Sequence, residues 1–530
     1  MASGTMTPLV FQSQRRSPLE WGLLAVYLLM VGLGVAFHEP WRDEWRAWMI
    51  SATAASPVQL WDLLSGEGHP WLWYALLKPF TLWPGGSAGL ALVGLGTGLV
   101  GSLLLFLCFR LPLWIRAGVL FSAYWLVEYV VVSRSYGLAY ALTSLGLLAV
   151  LRGRRWLPGA LLIGLAAHTH LLIALANLPL IALLALWGRR LPGRRQLLAL
   201  VLVLLLSATG IASAVGSRAL AYGQSRLASI TAKAAQVVPG LPRVPPVPGR
   251  LPEAAGSERQ LDEPATDARA PKDASDDGAI AGSANPRRLI PLLAPGLILL
   301  VLAGLWRRSR LVVLVYGLPA FTILMLFLRL IYRGGPWHQG TVFMVLVYSL
   351  VLAAEDPTAS QPNRLAIWLD GPWLASLRHS RSGARMAMLA LSLLLLLGAA
   401  DGLHQWFEDL GQPFSGAPAA AAFIGDRGMT SRQILPRSSD MDEALTIAWQ
   451  PEARVARPIG SLLPLHRLKW NLSETRICRL AAERAQQLQQ PVVIVANARH
   501  GGPTRCPGLT TRSRRFDGLR ESLEIVEIQP

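Results

Sequence analysis

The feature that most restricts this chain is the recurrence of apolar runs of about 15 to 22 residues, each able to cross a hydrocarbon core of roughly 30 Å as a helix. Crossings fall near 18–37, 88–108, 112–132, 136–151, 157–170, 171–187, 197–215, 289–305, 311–331, 340–354 and 386–401. Only 15% of residues are charged against 52% hydrophobic, where a soluble domain carries about 25% charged. That excludes an ordinary soluble protein, and the long Leu, Ala and Val runs exclude a predominantly disordered one. Three cysteines are too few for a disulfide scaffold. The expected fold class is an all-α polytopic membrane protein of about eleven transmembrane helices, with a small C-terminal α/β domain.

Orientation follows from basic residues, which accumulate on the cytoplasmic side. Arg15 and Arg16 precede the first crossing and set the N-terminus inside. The clusters Arg110/Arg116, Arg152/Arg154/Arg155, Arg189/Arg190/Arg194/Arg195 and Arg307/Arg308/Arg310 then all fall on that face, as does 364–385. Most of the net charge of +18 is thereby a topology signal, and nucleic acid is not an expected partner. The segment 157–187 is the exception: as one helix its 31 residues span roughly 47 Å, short of two crossings. Two short helices meeting at His168-Thr169-His170 keep the next Arg cluster inside, whereas one long tilted helix would invert it.

Four regions result. Residues 1–216 form an N-terminal transmembrane core with a first outside loop at 38–87. Residues 217–288, Pro-rich and then rich in Asp, Ala and Ser, read as a disordered outside linker. Residues 289–401 carry the last crossings. Residues 402–530 read as an outside α/β appendage, with a helix over 474–490 and strands at 491–496 and 523–528. Cys478 and Cys506 share that outside region, where oxidation permits them to pair.

The first outside loop concentrates the chemistry. It reads His38-Glu39-Pro40-Trp41-Arg42-Asp43-Glu44-Trp45-Arg46, and later Glu67-Gly68-His69-Pro70-Trp71-Leu72-Trp73-Tyr74. Two Arg face five acids between 38 and 70, reversing the basic bias of the chain. Trp and Tyr favour the headgroup level, so 42–50 and 71–83 read as short interfacial helices. The plainer reading is an aromatic belt with solvated charges, Asp43 pairing with Arg42 or Arg46. Glu128 falls within a crossing, where an ionisable group needs a partner; Arg134 or Lys78 would neutralise it.

This loop resembles that of the GT-C class of integral-membrane glycosyltransferases, the superfamily of family 39 and the protein O-mannosyltransferases, to which the lipid A aminoarabinose transferase also belongs. The likeness is nearest to bacterial members reading His-Glu-Pro-Trp-Arg-Asp-Glu and then Glu-Gly-His-Pro. It continues through Ser133-Arg134-Ser135-Tyr136-Gly137-Leu138, the 168–170 turn, Gly334-Gly335-Pro336-Trp337-His338-Gln339-Gly340 and Pro413-Phe414-Ser415-Gly416-Ala417. Trp337 and Gln339 depart from the usual Arg-His-His-Gly. The resemblance implies a bacterial plasma-membrane enzyme that takes a sugar from a polyprenyl-phosphate donor and passes it, with inversion, to an extracytoplasmic acceptor.

Such a reaction needs a base for the acceptor hydroxyl and positive charge for the departing phosphate. The resemblance places the base at Asp43, with Glu44 second; the candidate donor contacts are Arg134 and Arg333, which the topology puts on the same face, together with Tyr136, His338, His69 and Glu67. Arg134 and Arg333 suit bidentate phosphate contact, and equally suit snorkelling at helix ends. His38, Asp43 and His69 are candidate ligands for a divalent metal, although no spacing is diagnostic. A transporter or flippase of lipid-linked precursors, and a non-catalytic envelope assembly protein on the same fold, are the competing classes.

Overall fold

A computed structural model describes residues 16–64, 69–83, 88–186, 193–215, 286–306, 309–331, 335–355, 381–438, 472–498 and 506–530. The expected linker lies outside the described residues except for its last three, Pro286 to Arg288, which open a helix.

The described chain is mostly helical. Six helices are long and apolar enough to cross a membrane: Pro18–Phe37, Ala88–Cys108, Arg194–Ala214, Val312–Leu330, Trp337–Glu355 and Gly383–Gly411. Four shorter apolar helices accompany them. Large apolar side chains such as Leu19, Leu29, Phe37, Leu205, Leu389 and Leu396 point outward, as on helices whose surroundings are lipid rather than water.

Helix α1 (Pro18–Phe37) begins in a capping box: Ser17 Oγ accepts from the Glu20 amide, and the Glu20 carboxylate accepts from the Ser17 amide. Its inner stripe is Leu24, Tyr27, Val31 and Gly34. A Cβ on Gly34 would sit 2.7 Å from Val131, so its bare Cα permits the close approach. Trp406, on the long helix Arg381–Gly411, donates to Met30 O at 2.8 Å and locks that helix beside α1. The long helix runs ten residues beyond the expected crossing 386–401 and through the expected boundary at 402.

Three short helices follow: α2 (Arg42–Thr53), α3 (Pro57–Leu64) and α4 (Leu72–Thr81). Trp45, Trp48, Ile50, Leu63, Trp73 and Leu77 form their own core against Leu90 and Val93 of α5 (Ala88–Leu103). The expected crossing 112–132 is not continuous. It comprises α6 (Leu113–Leu120), a π-helical turn at Tyr124–Glu128 and an irregular stretch to Arg134. Two glycines allow this: a Cβ on Gly98 of α5 would lie 2.5 Å from Tyr129 O, and one on Gly137 of α7 (Ser135–Leu151) 2.6 Å from it. Backbone thus nests between α5 and α7, and Ser133 and Arg134 are delivered at the end of that groove.

Segment 157–187 is two helices, α8 (Trp156–Ala167) and α9 (Leu171–Leu186). Asn177 Nδ2 donates to Ile163 O at 2.9 Å, which requires the chain to turn back at 168–170.

The C-terminal part holds a four-stranded sheet in the order β1 (Ile434–Pro436), β2 (Val492–Asn497), β4 (Leu523–Ile528), β3 (Thr511–Phe516). Strand β1 runs parallel to β2, and β4 runs antiparallel to both its neighbours. Two of these strands were expected; β1 and the edge strand β3 were not. The helix Glu474–Leu488 packs Ile477, Ala481 and Ala485 on the sheet, and Cys478 is bonded to Cys506, Cα atoms 5.4 Å apart.

Candidate active site at the end of the first helix

Helix α1 stops at His38, two residues before Pro40. The imidazole lies between two carboxylates: Nε2 is 3.0 Å from Glu44 Oε2, and Nδ1 is 3.1 Å from Asp409 Oδ2. Burial alone would lower the imidazolium pKa, but these two anions outweigh it and raise it to about 10. With both nitrogens so engaged, His38 offers no lone pair to a metal.

Asp43 and Glu44 occupy the first turn of α2, where acids complement the helix dipole. Their fates differ. Glu44 reaches back to the Trp41 amide at 3.1 Å, accepts the Ser133 amide at 2.7 Å on its other oxygen, and pairs with His38. Its side chain is fully enclosed, so it ties together α1, α2 and the irregular stretch before Arg134. Asp43 keeps 26% of its side chain exposed, with Arg42 Nε at 3.2 Å and Arg134 Nη2 at 3.1 Å. Burial pushes the Asp43 carboxyl up, yet Arg42 and Arg134 prevail and hold it at about 2. Of the two arginines expected as its partner, Arg42 is present in this role, and Arg134 joins it.

Arg134 stands among aromatic rings, its Cζ 4.8 Å from the centroid of Trp337, 5.8 Å from Tyr136 and 5.9 Å from Trp41. A row of imidazoles adjoins it. His69 lies 4.9 Å from His170, which lies 5.6 Å from His338. The Leu172 amide donates to His170 Nδ1 at 3.1 Å, which assigns the ring proton to Nε2, 3.0 Å from the Tyr136 hydroxyl. His168 and His170 thus serve the α8–α9 turn, and His168 O accepts the Leu72 amide at 3.0 Å.

Asp43, Glu44, Arg134, Tyr136, His69 and His338 are therefore brought together, while Glu67 and Arg333 lie outside the described residues. Among the described residues, no group of three or more His, Cys, Asp or Glu is arranged to hold a metal ion. Glu128 differs from expectation: its partner is Arg520, not Arg134 or Lys78, and Lys78 instead donates to Ala52 O. The sequence reading also missed Asp409. An acid eight residues past the last apolar run, still in helical phase with it, is the signal that could have found it.

The groups of the cluster come from the C-terminal end of α1, the loop before α4, the N-terminal ends of α2 and α7, the α8–α9 turn, the start of the Pro336–Glu355 helix and the end of the Arg381–Gly411 helix. The arrangement offers a part-exposed carboxylate, a guanidinium beside it and aromatic walls. Comparison with known proteins finds no family model, no curated protein and no solved structure that matches this chain.

Proposed function

We propose that the protein is a polytopic membrane glycosyltransferase that moves a sugar from a polyprenyl-phosphate donor to an extracytoplasmic acceptor. The observation that carries this reading is the Asp43–Arg134 pair: a part-exposed carboxylate on a guanidinium, walled by Trp41, Tyr136 and Trp337. In the reaction, the acceptor hydroxyl attacks the anomeric carbon and its proton passes to Asp43. The sugar–phosphate C–O bond breaks, and the phosphate leaves against Arg134, inverting the anomeric centre.

A carboxyl held at about 2 is a weak base in the resting protein. A donor phosphate drawing on Arg134 removes part of what depresses it, so donor binding itself raises the basicity of Asp43. Glu44 belongs in this reading to the frame, since both its oxygens are committed.

The topology that accompanies the proposal has eleven crossings, a cytoplasmic N-terminus and the C-terminal domain outside. The Cys478–Cys506 disulfide suits an oxidising compartment. The gathering of polar groups at one end of the bundle favours surface chemistry over transport, which places its binding groups near the midplane. The test is transfer of labelled sugar from a panel of polyprenyl-phosphate sugars by purified protein, with Asp43→Asn beside wild type. Equal transfer by wild type and Asp43→Asn would refute the site; no transfer across the panel would refute the activity.

A further inference from the structure

The far end of the chain reaches into this site. Arg520, in the turn between β3 and β4, pairs with the buried Glu128. Its guanidinium lies 5.4 Å from the centroid of Trp337 and 5.7 Å from that of Phe414. Trp337 is the same indole on which Arg134 rests at 4.8 Å. We infer that Arg520 is a second guanidinium of the anion site, so that the C-terminal domain itself holds the phosphate head of the lipid carrier. This rests on the glycosyltransferase reading above and names a binding residue for it.

Backbone fixes where Arg520 stands. The Leu519 and Arg520 amides donate to Pro413 O and Phe414 O, and the Gly416 amide donates to Glu521 O, each at 2.9 Å. Ser415 Oγ donates to Glu521 Oε2 at 2.9 Å. A Cβ on Gly518 would lie 2.7 Å from both Gly416 N and Ser415 C, so the turn closes against the 413–416 strap as tightly as bare backbone allows. The side chain is thereby presented to the membrane-embedded helices, with 18% of its surface open.

Chemistry completes the argument. A guanidinium has five N–H donors, and one carboxylate does not use them all. In addition, the indole Nε1 of Trp41 and that of Trp337 are buried and meet no hydrogen-bond acceptor among the described residues. Trp41 is 4% exposed, and its ring stands 5.5 Å from Trp337. An indole N–H can only donate, and leaving it unmet when buried is costly. Two such donors beside Arg134 and Arg520 ask for a ligand rich in acceptor oxygens, and phosphate is one.

The competing role for Arg520 is to neutralise Glu128 and nothing more. Binding of radiolabelled polyprenyl monophosphate, and of neutral polyprenol, to full-length protein in nanodiscs separates the two. Arg520→Gln/Glu128→Gln removes both charges and leaves no buried acid alone, and Arg520→Lys keeps the pair but loses the fork. The double variant is expected to weaken phosphate binding about 10- to 100-fold with polyprenol unchanged, and Arg520→Lys to weaken it less. Phosphate binding by both variants equal to wild type would overturn the role of Arg520 while leaving the transferase proposal standing. Wild type that does not distinguish polyprenyl phosphate from polyprenol would overturn both.

Discussion

The His38 clamp sets the frame of the site and yields the sharpest prediction. His38 ties the end of α1 to α2 through Glu44 and to the Arg381–Gly411 helix through Asp409. The partner carboxylates are 0% and 4% exposed, and the ring is 4% exposed, so none can turn to water. The imidazolium is raised from 6.5 to about 10. At about 1.4 kcal/mol per pH unit this amounts to roughly 5 kcal/mol, at the upper edge of the 3–5 kcal/mol that breaking a buried pair typically costs. The folded-state value is raised, so the contribution is fully present below pH 6.5 and is lost as pH rises through about 10.

Two assays check it. In ¹⁵N spectra of histidine-labelled protein, with His38→Gln identifying the resonance, both ring nitrogens of His38 should carry protons at pH 8. In detergent, His38→Gln should lose roughly 3 kcal/mol or more of unfolding free energy, because two enclosed carboxylates then face one neutral amide. His38→Gln/Asp409→Asn should recover a large part of that loss. A neutral His38 at pH 8, or a His38→Gln penalty under about 1 kcal/mol, would refute the clamp.

Three further outcomes follow from the packing and the proposed topology. Gly98→Val places side-chain atoms against the Tyr129 carbonyl, and should cost about 1–3 kcal/mol by overpacking and disturb Arg134, read as lost stability together with lost phosphate binding. Cys478→Ser/Cys506→Ser should lower stability of the C-terminal domain by about 3–4 kcal/mol for a separation of 28 residues, measured by limited proteolysis under non-reducing conditions. An impermeant reagent should label a reporter at residue 250 in intact cells, and protection there would sink the eleven-crossing topology.

What the sequence disclosed and what it hid separate by range. Helix α1, the α8–α9 turn, β2 and β4 carry local signals: apolar length, a polar His-Thr-His turn, and runs such as Val492–Val495. Strand β3 carries none, because Thr511 to Arg515 are all exposed at a sheet edge whose arginines discourage further pairing. The apolar run 112–132 promised a helix, but length and hydropathy do not register that Gly98 and Gly137 open a groove for irregular backbone. Within the site, Asp43, Arg134, Tyr136 and His338 were legible as motif residues. Asp409 and Arg520 were not, because each matters only through a contact several hundred residues away in sequence.

The carboxylates of the site differ in a way that assigns them work. Glu44, Asp409 and Glu128 are at most 4% exposed at the side chain, each with a cationic partner. Removing any of those partners strands a charge out of reach of water, so the pairs behave as fixed parts. Asp43 alone among these four is open enough to be rehydrated when its guanidinium turns elsewhere. An incoming anion can therefore draw on Arg134 cheaply, while it can use Arg520 only through donors that Glu128 leaves over. The two arginines on Trp337 would then divide the task, Arg520 as the fixed end of the anion's cradle and Arg134 as the end that moves. In the proposed reaction only the moving end would change the basicity of Asp43, and so would couple arrival of the phosphate to readiness for proton transfer.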